Sequence, residues 1–335
     1  MRCELRTFLL TFKFALLIIF LPNQAVTPTN LSVGSDSGHN VSFFFLSVPS
    51  GAYYSEELKD VGAAGRMIVL NTNLYYDSNS LTANMKDPGD QFQWLEDQLN
   101  NANLKGEKVY IVGHVPPGYF EKKRDKPWFR EEFNKRYIEI IQKHHRVIQG
   151  QFFGHHHTDS FRMFYSDSGT PVSSMFIAPG VTPWKTTLPG VENGANNPGI
   201  RVVEYDRQNL QVFDIVTYYL NLTYANKVSP RWEKEYRLTE AYQIPDCSAQ
   251  SMHDVVKKIS NDSCYLQKYY KYNSVSYDLE ACNKTCRVDH VCAIREVDFN
   301  KYKECVKTES SSIRHMFELT VLFIVMPVYF FTFDL

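Results

Sequence analysis

The sequence predicts an α/β protein: a mixed β-sheet layered against helices, followed by a small helical region held by disulfides. Three observations predict it. Between residues 66 and 153, short continuous apolar runs alternate with segments whose large apolar residues recur every three to four positions. From 158 to 220 strand patterns dominate. From about 230 the chain turns charged, tyrosine-rich and helical, and six of its seven cysteines fall there.

The elements follow in order. Arg2 and Arg6 precede the apolar stretch Phe14 to Leu21, so residues 1–25 are expected to be a signal peptide cleaved after Ala25. Residues 26–50 are polar and rich in Ser, Thr and Asn, and low order is expected there. The α/β domain is expected over 51–230. Met67-Ile68-Val69-Leu70 reads as its first buried strand. A helix is expected to start near Asp87-Pro88-Gly89-Asp90, with Asp90 as N-cap and Phe92, Leu95 and Leu99 on its inner face. Lys108 to Val112 is a second buried strand, and Phe133, Tyr137 and Ile141 mark a second helix. His144 and His145 close that helix and are expected at the surface, near its negative dipole end. The run Val147 to Phe153 is the next strand. Phe161 to Tyr165 and Ser174 to Ala178 then flank a Ser166-Asp167-Ser168-Gly169 turn. A C-terminal subdomain is expected over 231–309. The tail 310–335 holds the apolar run Leu319 to Phe333 behind Ser310, Ser311 and Ser312. It resembles a glycolipid-anchor signal, with a tail anchor or an uncleaved hydrophobic end as the alternatives and membrane contact as the consequence.

Composition narrows the function. The net charge is −1, so no basic field suggests a nucleic-acid polymer as partner. Cys247, Cys264, Cys282, Cys286, Cys292 and Cys305 include no Cys-x2-Cys pair, which favours a disulfide framework over a zinc site. Asn30, Asn40, Asn221, Asn261 and Asn283 each begin an Asn-x-Ser/Thr sequon. Together these point to a secreted, extracellular or lysosomal chain, or a membrane-anchored one.

The chemistry concentrates in histidines at strand ends. Gly154-His155-His156-His157-Thr158-Asp159 follows one buried strand, and Gly113-His114-Val115-Pro116-Pro117 follows another. Alternate side chains of an extended segment share a face, so His155 and His157 are expected to point together and His156 away, to solvent or behind the pair. Loops at strand ends are where open α/β sheets carry their chemistry. Neutral imidazoles gathered there suit zinc.

Several linked motifs resemble the acid sphingomyelinase-like phosphodiesterases, over about residues 50 to 306. They are Gly65 to Tyr76, Gln91-Phe92-Gln93-Trp94-Leu95-Glu96, Gly113 to Tyr119, Gly154 to Asp159, Ala178-Pro179-Gly180-Val181-Thr182-Pro183, Asn196 to Arg201, and the cysteines from Cys282 to Cys305. The resemblance implies part of a calcineurin-like metallophosphoesterase sandwich and zinc-dependent hydrolysis of phosphodiesters, whether phospholipid head groups or nucleotides. It implies His114, His155 and His157 as metal ligands, with Asp159 a candidate to orient one of them from behind. It implies the pairs Cys282 with Cys286 and Cys292 with Cys305, leaving Cys247 and Cys264 to pair by exclusion. The family's Asp-x-His strand end and Gly-Asn-His loop have no counterpart in this sequence, and Gly89-Asp90 falls at a different family position. A full site holds two zincs. A truncated, impaired hydrolase holding at most one zinc weakly is therefore expected, with unpaired sheet edges. A noncatalytic secreted or surface glycoprotein retaining half a metal site is the alternative.

Overall fold

The computed structural model describes residues 52–58, 63–182, 184–185 and 195–311, and the backbone of Phe8–Leu9 (β1) and Ile18–Pro22 (β2). The main domain contributes Tyr54–Glu57 (β3), Gly65–Val69 (β4), Lys108–Val112 (β5), Ile148–Phe153 (β6), Ser160–Tyr165 (β7) and Pro171–Ile177 (β8). These six form one sheet in the order β3-β4-β5-β6-β8-β7. Its centre is parallel from β4 to β8, and β3 and β7 pair antiparallel at the edges. Parallel neighbours need crossovers. Gln91–Lys105 (α1) and Glu131–His144 (α2) supply two of them.

A second sheet faces the first. After a short hairpin, Trp184–Lys185 (β9) with Ala195–Asn196 (β10), come Gly199–Tyr205 (β11), Val212–Leu220 (β12) and Trp232–Arg237 (β13). Its order is β1-β2-β11-β12-β13. The helices Leu222–Lys227 (α3), Leu238–Tyr242 (α4), Ala249–Asn261 (α5), Ser263–Asn273 (α6) and Lys284–Arg295 (α7) follow, and a last helix runs over 299–311.

Strand alternation builds two cores from one sheet. Met67, Val69, Tyr110, Val112 and Phe152 face Val203, Tyr205, Val212 and Ile215 of the second sheet, with Met252, Val255 and Ile259 of α5 beside them. Their neighbours Ile68, Val109, Ile111 and Phe153 point the other way, onto Phe92, Leu95 and Leu99 of α1 and Phe133, Tyr137 and Ile141 of α2. Burying both faces explains why these strands read as continuous apolar runs. A third cluster of Tyr119, Val288, Cys292, Phe299, Tyr302 and Cys305 fastens α7 and the last helix to the loop after β5.

Several expectations are corrected. Asp90 is not the cap of α1: its φ is 54°, in the left-handed region, and its side chain makes no cap bond. Asp87 accepts from the Phe92 and Gln93 amides at 2.9 and 3.0 Å instead, reaching across the kink at Gly89. His144 is buried rather than at the surface, because it continues the Ile140–Ile141 face of α2 and meets Glu96 of α1 at 4.0 Å. Cys282–Cys286 and Cys292–Cys305 are bonded as the resemblance implied. Cys247 and Cys264 are both free, the first buried and the second exposed. Helix α5 lies between them, and its 13 residues separate its ends by about 20 Å. The β4 edge is paired by β3, and the β11 edge by β2, which lies within the segment expected to be a signal peptide.

Of the sequon asparagines, Asn261 and Asn283 are exposed and Asn221 is half-buried. Asn221 and Asn283 cap α3 and α7 through their side-chain oxygens. Asn30, Asn40 and the apolar tail lie outside the described residues. Among the described residues, no helix is long and apolar enough to cross a membrane.

Candidate functional site

The parallel strands β4, β5 and β6 end side by side, so the loops after them meet. Buried Thr72, after β4, accepts the His114 and Val115 amides on its hydroxyl at 3.1 and 2.7 Å. Gly113 permits this approach: a Cβ there would sit 2.5 Å from the Phe153 ring and 2.9 Å from Thr72. The Gly154 amide then donates to the His114 carbonyl at 3.0 Å, tying the two histidine loops together.

His114 and His155 converge, with ring centroids 5.2 Å apart at 84°. Trp128 stands edge-on to His155 at 4.4 Å, and Tyr76 does so at 5.4 Å. His114 Nδ1 and His155 Nε2 are buried atoms without a hydrogen-bond partner. His157 lies beside Gly180, where an added Cβ would come within 3.3 Å of its ring. The route to this arrangement differs from the expected one. β6 ends at Phe153, and His155 and His157 have φ of 69° and 56°. They converge from a left-handed loop, not from one face of a strand. His, Asn and Asp are the non-glycine residues enriched in that conformation.

Burial sets the charge of the cluster. It pushes His155 down to about 2, helped by His156, His114, His157 and Lys126. His157 is pushed down to about 4, and His114 is lowered, in both cases chiefly by burial. All three are therefore neutral near pH 7, and the unbonded nitrogens of His114 and His155 offer lone pairs. This donor chemistry fits zinc, and so do the orphaned nitrogens of His114 and His155. The fit is to part of a shell: among the described residues, no group of three His, Cys, Asp or Glu side chains is gathered to hold an ion.

His156 does point away from the pair, but into the protein rather than to solvent. Its Nδ1 lies 3.2 Å from Glu121 Oε2, with both side chains fully buried. Arg162 of β7 reaches the same carboxylate at 2.5 Å. Thr158 and Asn273 donate to Glu121 Oε1 at 2.7 and 2.9 Å. Burial pushes the Glu121 carboxyl up, yet Arg162 and then His156 outweigh it and hold the group well below the usual carboxylate range. Asp159 also departs from its expected role, because its carboxylate meets no imidazole. It accepts from Arg201, from Thr217 at 3.0 Å and from Tyr236 at 2.9 Å, bracing the loop against β11, β12 and β13. Glu121 and Arg162 were not expected from the sequence. The available signal was Arg162 itself, a cation inside the apolar strand Ser160–Tyr165.

A two-sheet sandwich with imidazoles on adjoining strand-end loops is the α/β arrangement the sequence led one to expect. Comparison with known proteins narrows it. Residues 170–312 match the acid sphingomyelin phosphodiesterase C-terminal region. The chain is 63% identical to human acid sphingomyelinase-like phosphodiesterase 3b over 76% of its own length and 56% of that protein's. It is 44% identical to human cyclic GMP-AMP phosphodiesterase over 77% of this chain and 56% of that one. Against bovine sphingomyelin phosphodiesterase it is 34% identical, covering 68% of this chain and 35% of the other. The chain is similar to the acid sphingomyelinase-like phosphodiesterases, and its residues 170–312 match the C-terminal region of sphingomyelin phosphodiesterases. It spans just over half the length of the two human proteins.

Proposed function

We propose that this chain carries the histidine side of a zinc-dependent phosphodiester hydrolase site, for sphingomyelin-type or nucleotide-type phosphodiesters. The convergence of His114 and His155 is the observation that carries the reading: two neutral imidazoles, 5.2 Å apart, with buried nitrogens left unbonded. His157 is the third donor of the set. Zinc bound there would polarise phosphoryl oxygens and lower the pKa of water. The chain's own residues hold the imidazoles neutral, wall them with Trp128 and Tyr76, and exclude water behind them. Relatives named for sphingomyelin and for cyclic GMP-AMP support a phosphodiester substrate of either kind. The setting that goes with this reading is extracellular or lysosomal, with glycans on Asn261 and Asn283.

The sequence has no Asp-x-His and no Gly-Asn-His motif, so the carboxylate and leaving-group acid of a complete site have no match in it. The chain alone is therefore expected to bind about one zinc weakly and to turn over a chromogenic phosphodiester negligibly. Joined to a segment supplying those motifs, it is expected to be active. Zinc content by mass spectrometry and hydrolysis with added zinc test both statements. Unchanged zinc in a His155→Ala/His157→Ala chain would refute the site. The second reading, a noncatalytic glycoprotein, is favoured by the absence of a closed three-residue shell among the described residues. An inactive joined protein would select it.

A further inference from the structure

The loop that carries His155 and His157 places both in the left-handed region, which few non-glycine residues adopt even though His is among those that do. Two non-glycine residues in the left-handed region persist only where surrounding contacts impose them. The His155 ring meets Tyr76, His114 and Trp128, and the His157 carbonyl accepts from Asn196 at 2.6 Å. Further contacts fall on the residues between and after them, and two of these, from His156 and Thr158, lead to one carboxylate.

We propose that Glu121 is a positioning residue for the metal site: its buried carboxylate locks the histidine loop to helix α6, making the C-terminal helices part of the site's geometry. The proposal rests on the zinc reading of His155 and His157. Glu121 accepts from Thr158 and Asn273 on one oxygen, at 2.7 and 2.9 Å, and from Arg162 on the other, at 2.5 Å, with His156 Nδ1 beside that oxygen at 3.2 Å. None of these five side chains is more than marginally exposed. His156 and Thr158 bracket His157 in the chain, so holding both fixes the backbone from which His157 projects. Asn273, the last residue of α6, doubles the link: its carbonyl accepts the Asp159 amide at 3.1 Å, and its side chain donates to the Asp159 carbonyl at 3.2 Å. Glu121 also sits on the loop that follows His114, two residues after Tyr119, whose carbonyl accepts from Arg162 at 3.0 Å. One buried anion thus registers both histidine loops against a helix more than 100 residues further along the chain.

A merely stabilising cluster would support the whole fold evenly, whereas a positioning one acts on the loop. The test uses the full chain with Thr158→Val, which keeps shape and removes the donor, Thr158→Ser, which keeps the donor, and Asn273→Ala. Amide hydrogen exchange of residues 154–158 and zinc affinity are measured beside that of α5 and β6. Thr158→Val and Asn273→Ala are expected to speed exchange in the loop, and to weaken zinc binding, by about tenfold each, as loss of a hydrogen bond to a charged group implies. Thr158→Ser restores both, with α5 and β6 unchanged. Loop exchange that stays at the wild-type rate, or that rises only in step with α5 and β6, overturns the proposal. A wild-type chain that holds no zinc refutes the zinc reading alone, since the exchange measurement then decides the positioning role by itself.

Discussion

Glu121 is an ion buried away from the surface, and its neutralisation leaves Arg162 in the same position. Both side chains are fully buried. Removing one member of such a pair strands the other charge, at about 3–5 kcal/mol. Glu121→Gln is therefore expected to lower unfolding stability by about that amount. Adding Arg162→Met, which removes the stranded cation, recovers most of the loss. Urea denaturation of the single and double variants checks this, and an equally unstable double variant would contradict it. Little of the pair was legible beforehand. Glu121 opens the charged run Glu121-Lys122-Lys123-Arg124 and reads as an exposed loop residue. Its partner is 41 residues away in the chain, and only the tertiary fold brings them together. The histidines were legible because their spacing and strand-end setting are local, but their left-handed backbone was not.

Among the elements, α1 shows what pattern does and does not convey. Phe92, Leu95 and Leu99 recur at helical spacing because they meet the sheet, so the helix and its buried face are evident from sequence. The cap is a matter of backbone direction. Gly89 and Asp90 both turn left-handed, which moves the capping position back to Asp87. That carboxylate holds two amides and also meets Arg136 of α2 at 3.2 Å. Asp87→Ala is expected to cost about 1 kcal/mol, the usual value of a cap, while Asp90→Ala costs a few tenths at most. Comparing the two variants by thermal melting separates the assignments, and a larger loss at Asp90 would reverse them. The buried strands were the most legible elements. Cys247 and Cys264 were the least, since an even count suggests pairing while the length of α5 forbids it.

Across the whole molecule, the helical region and the sandwich share buried polar groups, and one of them makes stability depend on pH. His290 of α7 is fully buried, and burial is the main cause that pushes it from 6.5 down to about 4, with Glu121 opposing. Between those values the unfolded chain binds a proton that the folded chain does not, so stability is complete above about 6.5 and is lost as pH falls toward 4. The gap corresponds to about 3 kcal/mol at roughly 1.4 kcal/mol per pH unit. His290→Phe is expected to reduce the slope of the melting-temperature profile over that window by one proton's share, with His155 and His157 supplying slope that remains. A profile of unchanged slope would show that His290 is not the group responsible. The two-layer architecture was legible from alternating element types. The second sheet's use of Arg201, Thr217 and Tyr236 to hold Asp159 was not, because each comes from a different strand.

The two unpaired cysteines of the C-terminal region turn the chain into its own unfolding gauge. Cys264 stands exposed at the start of α6, whereas Cys247 is enclosed beneath β12 and α5, and burial raises its thiol well above the usual range. A thiolate-directed alkylating reagent should mark Cys264 on the native protein at once and reach Cys247 only when the sandwich opens. Tryptic mapping of the two sites over time then reads a rate of opening without any added probe. Equal labelling of both in the native protein would mean that the seam between the second sheet and α5 breathes far more than its packing implies.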